Sequence, residues 1–260
     1  MRPWSPDSLA GILVLFACAL AGDTGWAKSD RPAYLVKSGN GTVRGVVRAS
    51  VQAILYAQIQ GRVVQVPYKE GQRFEEGHTL IQIDCDKYRA ELAAAHAEHE
   101  VKDKVYQNNL ELTRLDAVSK LDLETSEAEA KKAFAAIRVA EVNVKGCLVL
   151  APFSGRVVGV MVNAFENVFP NDKLISLLDD SSLEIELVLP STAVVWLKRK
   201  ASFTFVVDET RQGYAAKVKE IGASVDPASQ TIKVIGVFDK LPPDILAGMS
   251  GTAQFRNSQP

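Results

Sequence analysis

The sequence predicts an α+β, mainly β protein: a small β-domain split in two by a helical hairpin, followed by a small β-barrel. Three observations carry this. Gly61-Arg62-Val63-Val64 returns as Gly155-Arg156-Val157-Val158, and Leu80-Ile81 returns as Leu174-Ile175, so the chain holds an internal repeat. Between the two copies, Asp86 to Gly146 changes to a heptad period, and no Pro or Gly interrupts it from Asp86 to Asn143. After the second copy, short β-branched runs recur at even spacing, the pattern of a small barrel.

The 260 residues suffice for one large domain or a few small ones. Hydrophobic content of 47% and charged content of 23% are ordinary for a globular protein. A net charge of −1 gives no electrostatic footprint for nucleic acid. Lys198-Arg199-Lys200 reads as a solvated turn.

Residues 1–27 read as a secretory signal peptide. Leu9 to Gly22 is an apolar and small-residue run, too short to span a membrane, and Gly25-Trp26-Ala27 supplies a small-x-small cleavage site. Leu15-Phe16-Ala17-Cys18 also resembles a bacterial lipoprotein box, which would make Cys18 a lipidation site. Both readings export the chain. Residues 28–42 are a polar, turn-rich leader.

Residues 43–85 and 147–180 are the two halves of the split domain. Each reads as short strands with a turn every few residues. Matching the halves by residue identity also sets Glu70 against Glu166. Cys85 and Cys147 stand at the two feet of the insertion. A disulfide and two separate thiols are both open readings, because sequence does not supply the Cα separation that a bridge requires.

Residues 86–146 form the hairpin. On its second arm Leu123, Ser126, Ala130, Ala133, Ile137, Ala140 and Val144 make a heptad seam. On the first, Ala90, Ala94, Ala97, Val101, Val105, Asn108, Leu112 and Leu115 make the expected seam, with one stutter. The turn is expected near Val118 to Asp122, and each arm would reach about 40 Å. Residues 181–257 hold the barrel strands, with one or two helical turns over Ser191 to Lys198.

This order resembles the periplasmic adaptor (membrane-fusion) proteins of bacterial tripartite efflux and secretion systems, HlyD-like and RND-adaptor-like. Gly61-Arg62-Val63, Glu70-Gly71, Gly77, Leu80 and Asp84 carry a first lipoyl-like half. Ala151-Pro152-Phe153, Gly155, Val157, Val168 and Asp180-Ser181-Ser182-Leu183 carry the second. Leu246-Ala247-Gly248-Met249 is similar to a motif ending the family's barrel. The resemblance implies a split lipoyl-like (barrel-sandwich hybrid) domain. It also implies a periplasmic subunit at the inner membrane, joining an RND or ABC inner-membrane transporter to a TolC-like outer-membrane channel. The subunit would work as a trimer or hexamer ring, without cofactor, metal or active site. The hairpin tip would meet the channel through Arg114, Val118, Ser119 and Leu121.

The sequence departs from the family at three points. Ala117-Val118-Ser119 fits the family's tip serine, but the arginine position falls on Asn109. The chain has little material for a fourth, membrane-proximal domain. Asn167 stands where a glycine would follow Glu166.

Rival chemistry is sparse. Lys87 lies near the place where a lipoyl or biotinyl carrier presents its lysine, but inside a helix start. His96 and His99, with Glu100 beside them, read as a solvated face, since no further metal ligand is evident. No phosphate loop, catalytic triad or nucleophile elbow occurs, so no catalytic residue is assigned. Two alternatives stand beside the adaptor: a stand-alone envelope coiled-coil protein and a lipoyl-type carrier of an enzyme complex.

Overall fold

The computed structural model describes residues 42–255; the expected signal peptide, nearly all of the leader and Cys18 lie outside the described residues. The chain order begins β1 (Thr42–Ala49), β2 (Gln52–Tyr56), β3 (Gly61–Gln65), β4 (Arg73–Phe74) and β5 (Thr79–Ile83). The helices α1 (Asp86–Thr113) and α2 (Lys120–Lys145) follow. Next come β6 (Leu148–Leu150), β7 (Gly155–Val160), β8 (Asn167–Val168), β9 (Lys173–Leu178) and β10 (Leu183–Pro190). After one 3-10 turn at Ser191–Val195, the chain ends in β11 (Ser202–Val207), β12 (Gly213–Asp226), β13 (Thr231–Phe238) and β14 (Ser250–Phe255).

The repeat folds as two four-stranded sheets, ordered β2-β9-β7-β4 and β6-β5-β3-β8. The two orders are the same list under one constant displacement of 94 positions, the step from Gly61 to Gly155. The halves exchange edges. β3 of the first half pairs with β8 of the second, and β7 of the second pairs with β4 of the first. The exchange is reciprocal bond for bond. The Val63 N–H donates to Glu166 O, and the Val157 N–H donates to Gln72 O. The Phe165 N–H donates to Val63 O, and the Gly71 N–H donates to Val157 O. Two-residue strands such as β4 and β8 do not hold alone, so each half needs the other. Val63, Phe74, Leu80 and Ile83 share one buried core with Val157, Val168, Leu174 and Leu177.

This displacement corrects the match made on identity. Glu166 corresponds to Gln72, and both side chains accept the backbone N–H three residues earlier, from Asn163 and Lys69. Gly71 therefore corresponds to Phe165, and Gly77 to Asn171. All four are left-handed, at φ +80° and +73°, then +79° and +73°. The left-handed turn before Glu166 is made by a phenylalanine, an uncommon choice for a bulky side chain, and Asn167 is an ordinary strand residue.

The barrel closes in the order β1-β10-β13-β12-β11-β14. Five of its strands come from residues 181–257, as expected. The sixth, β1, was grouped by sequence with residues 43–85. Val43, Val47 and Ala49 point into the barrel core with Ile185, Leu187, Phe205 and Val234. Alternation fixes which face of a strand is buried but not which sheet receives it. By pairing with both β10 and β14, β1 removes the two open edges that would otherwise remain.

The hairpin arms are 28 and 26 residues long. The turn runs from Arg114 to Ser119, slightly before the expected place. Ser119 caps α2 by accepting the Asp122 N–H, which puts Lys120 to Asp122 inside the helix. The α2 seam is as expected: Ser126, Ala130, Ala133, Ile137 and Ala140 are buried. The α1 seam is not. Its inward positions are Tyr88, Leu92, Ala95, His99, Lys102, Tyr106, Asn109 and Thr113, an unbroken alternation of four and three. The expected Ala/Val stripe faces outward, with Val101 58% exposed. Alanines on α2 leave room for long polar side chains, so His99 lies against Phe134 at 5.5 Å and Lys102 bonds Glu129 across the seam at 2.8 Å. His99 thus belongs to the helix–helix contact, while His96 is exposed.

Candidate interaction surfaces

The hairpin tip gathers the four residues singled out for partner contact. Arg114 caps α1, Ser119 caps α2, Val118 is half-buried between them, and Leu121 is 72% exposed on the first turn of α2. Leu115, assigned by sequence to the seam, joins them at 75% exposure. The tip therefore presents two bare leucines beside a guanidinium. Its signal in the sequence was position: Leu115 lies past the last seam residue, Thr113.

The hairpin leaves the sandwich at a locked foot. Cys85 and Cys147 are disulfide-bonded, with their Cα atoms 5.6 Å apart. The Tyr88 hydroxyl donates to the Gln60 carbonyl at 2.8 Å, tying the first turn of α1 to the sandwich. Arg62 pairs with Asp84 at 3.7 Å. Lys87 sits in that first turn, over the Tyr88 ring and near Glu91.

The barrel leaves the sandwich at a joint of different chemistry. Two chain crossings make it, Ser50 on one side and residues 179–182 on the other. They are tied by Ser50 N–H to Ser182 O and Asp179 N–H to Val51 O. One oxygen of Asp180 accepts from Arg73 Nη2 at 2.5 Å and Arg156 Nε at 2.7 Å. Its other oxygen is shut from solvent without a hydrogen-bond partner.

Each helix also carries an outward apolar stripe. Positions two apart on a helix lie roughly 200° apart, so a second stripe offset by two faces away from the seam. On α1 it is Ala90, Ala94, Ala97, Val101 and Val105; on α2 it is Leu121, Ala128, Ala135, Val139 and Val142, all exposed. Near the feet the exposed charges differ in sign. Over residues 86–100 of α1, Asp86, Glu91, Glu98 and Glu100 outnumber Lys87 and Arg89, whereas over residues 131–145 of α2, Lys131, Lys132, Arg138 and Lys145 outnumber Glu141. Across the seam, the hydrogen bond between Glu129 and Lys102 holds the Glu129 carboxyl below its ordinary range and the Lys102 ammonium above its own.

Among the described residues, no three or more His, Cys, Asp or Glu side chains group as a metal site. No described helix is long and apolar enough to cross a membrane.

The profile described as RND MFP, barrel-sandwich hybrid domain, matches residues 51–192, more than half of the chain. An uncharacterized protein of Haemophilus influenzae is 26% identical over 209 residues, covering 79% of this chain and 54% of that protein. The multidrug resistance protein MdtA of Salmonella typhi is 25% identical over 227 residues, covering 78% of this chain and 53% of MdtA. The chain thus spans about half the length of these curated relatives. Among solved structures, a MacA-MexA chimeric protein containing the Pseudomonas aeruginosa MexA α-hairpin domain shares the fold. Its TM-score is 0.73 at 20% identity, covering 83% of this chain and 80% of that one. The membrane fusion protein Spr0693 of Streptococcus pneumoniae R6 superposes with a TM-score of 0.68 at 16% identity, covering 84% of this chain and all of that one.

Proposed function

From the chain's membership of the RND membrane fusion proteins, a family of non-enzymatic efflux adaptors, we propose that it links an RND or ABC inner-membrane transporter to a TolC-like outer-membrane channel. It works in the periplasm, at the inner membrane. The observation that carries the reading is a stiff arm of two helices, bolted at its foot to a sandwich and ending in exposed Leu115, Leu121 and Arg114. An arm of 28 residues reaches about 42 Å at the helical rise. Its tip is built to meet another helical surface, bare leucines supplying contact area and Arg114 supplying charge.

The outward stripes favour a ring. A neighbour's α2 stripe offers the α1 stripe a second face of small and branched apolar side chains, and the net charge at its base is opposite in sign. A contact of one face against a different face repeats head to tail and closes when the rotation allows, as a trimer or hexamer would.

A photo-crosslinker at Leu121 in living cells tests the linking role. Capture of an outer-membrane channel is the expected result. Capture of copies of the chain alone would favour the stand-alone envelope coiled coil instead. Capture of a soluble enzyme complex would favour the carrier.

A further inference from the structure

A cavity of about 620 Å³ opens at the joint between sandwich and barrel. We infer that it binds a small anionic amphiphile, a single-chain carboxylate of the fatty-acid class. Its walls are apolar from both domains: Val158 and Leu178 from the sandwich side, Leu241, Pro242, Pro243 and Leu246 from the β13–β14 loop of the barrel. Only three charged residues line it, Arg73, Arg156 and Asp180. Two guanidiniums against one carboxylate leave an excess positive charge at one end of an apolar slot.

The donors are in surplus. A guanidinium has five N–H groups, and each of these two arginines spends one on Asp180. The side chains are 63% and 45% exposed, so their remaining N–H groups are reachable by a head group entering from solvent. A carboxylate head fits a guanidinium fork in two parallel bonds, which an ammonium head cannot do. The volume lies within the ordinary range for a small-molecule site, and a mostly apolar wall with a few convergent polar groups is the ordinary composition. An acyl chain laid along Leu178 and Leu246 would touch both domains at once. Binding would therefore also restrain the joint. Nothing in this depends on the ring or on the channel.

Isothermal titration of the mature full-length protein with dodecanoate, below its micellar concentration, tests the site. Dodecyltrimethylammonium serves as the cationic control of equal chain length. Saturable one-to-one binding of dodecanoate is expected, with no matching signal from the cation. Arg73→Gln with Arg156→Gln should weaken binding at least about tenfold by removing the charged partners. That pair also unpairs Asp180, so a second variant leaves the ion triad whole. Leu246→Glu changes a half-exposed wall residue and puts a negative charge in the path of the chain; it should weaken dodecanoate comparably while the melting temperature stays put. No saturable binding, equal binding of anion and cation, or unchanged binding in Leu246→Glu would each overturn the site.

Discussion

The sandwich has two exits, and the repeat places them at matching points. The first half ends in β5 and leads to the hairpin; the second ends in β9 and leads to the barrel. The same arginine of the repeated Gly-Arg-Val-Val stands at each: Arg62 beside Asp84, and Arg156 beside Asp180. Beyond that the exits diverge. The hairpin foot is covalent, held by Cys85–Cys147 and seconded by Tyr88 on the Gln60 carbonyl. The barrel foot is ionic, with its arginines half open to water. Equivalent positions have thus become a covalent, fixed mount on one side and an ionic joint, expected to be the yielding one, on the other. Under the linking role proposed above, this would divide the labour: the arm would keep its aim while the barrel adjusts.

The largest effect should come from removing the fixed mount. The bridge closes a loop of 62 positions, so Cys85→Ala with Cys147→Ala should cost about 4 kcal/mol of stability in guanidinium denaturation. A loss near zero would mean that the foot is held by packing and Tyr88 alone. A second test compares the two turns that the repeat places opposite each other. Phe165→Gly relieves a left-handed backbone that Gly71 adopts without strain, and should raise stability by about 1 kcal/mol. A loss instead would mean that the Phe165 ring, 75% exposed in the monomer, is packed in solution.

The yielding joint should respond in motion more than in stability. Asp180→Asn should cost about 1 kcal/mol, since its arginine partners stand half open to water while Asp180 itself is only 16% exposed. Spin labels at Lys69 and Thr210 should nonetheless report a broader sandwich-to-barrel distance distribution. Labels at Lys69 and Lys120, across the locked foot, should not change. The smallest effect is in pH. Glu129 is held below its ordinary carboxyl range by Lys102, so its contribution is present above that range and fades as pH falls through its lowered value. Arm helicity followed by circular dichroism should soften only below the ordinary glutamate range, and Glu129→Gln should flatten that dependence.

Much of the fold was legible. The repeat, the α2 seam and five barrel strands all follow from hydrophobic period and turn residues. The α1 seam was not, for a physical reason. Its outward stripe of Ala90, Ala94, Ala97 and Val101 is more apolar than its true seam, which holds His99, Lys102 and Asn109. Hydrophobic period finds the most apolar face, and on this helix that face is turned away from its partner. The match of Glu70 with Glu166 failed because identity is a weaker guide than backbone conformation; the left-handed turns at Gly71 and Phe165 mark the true alignment. At the tip, Arg114, Val118, Ser119 and Leu121 stand at the turn where their position in the sequence puts them, whereas Leu115 was absorbed into a heptad that stops two residues earlier. The triad at Asp180 had no sequence signal, since Arg73, Arg156 and Asp180 meet only once the halves have exchanged strands.

That exchange also constrains the order of events as the chain folds. β3 waits for β8 and β4 waits for β7, so the first half stays incomplete until the segment through Val168 is free to pair. The hairpin, whose arms can pair from the turn outward, can zip up in the meantime and carry its two ends together. The arm is then the clamp that delivers the late half to the early one, and a chain cut short before β8 would have a formed arm and no body to mount it on.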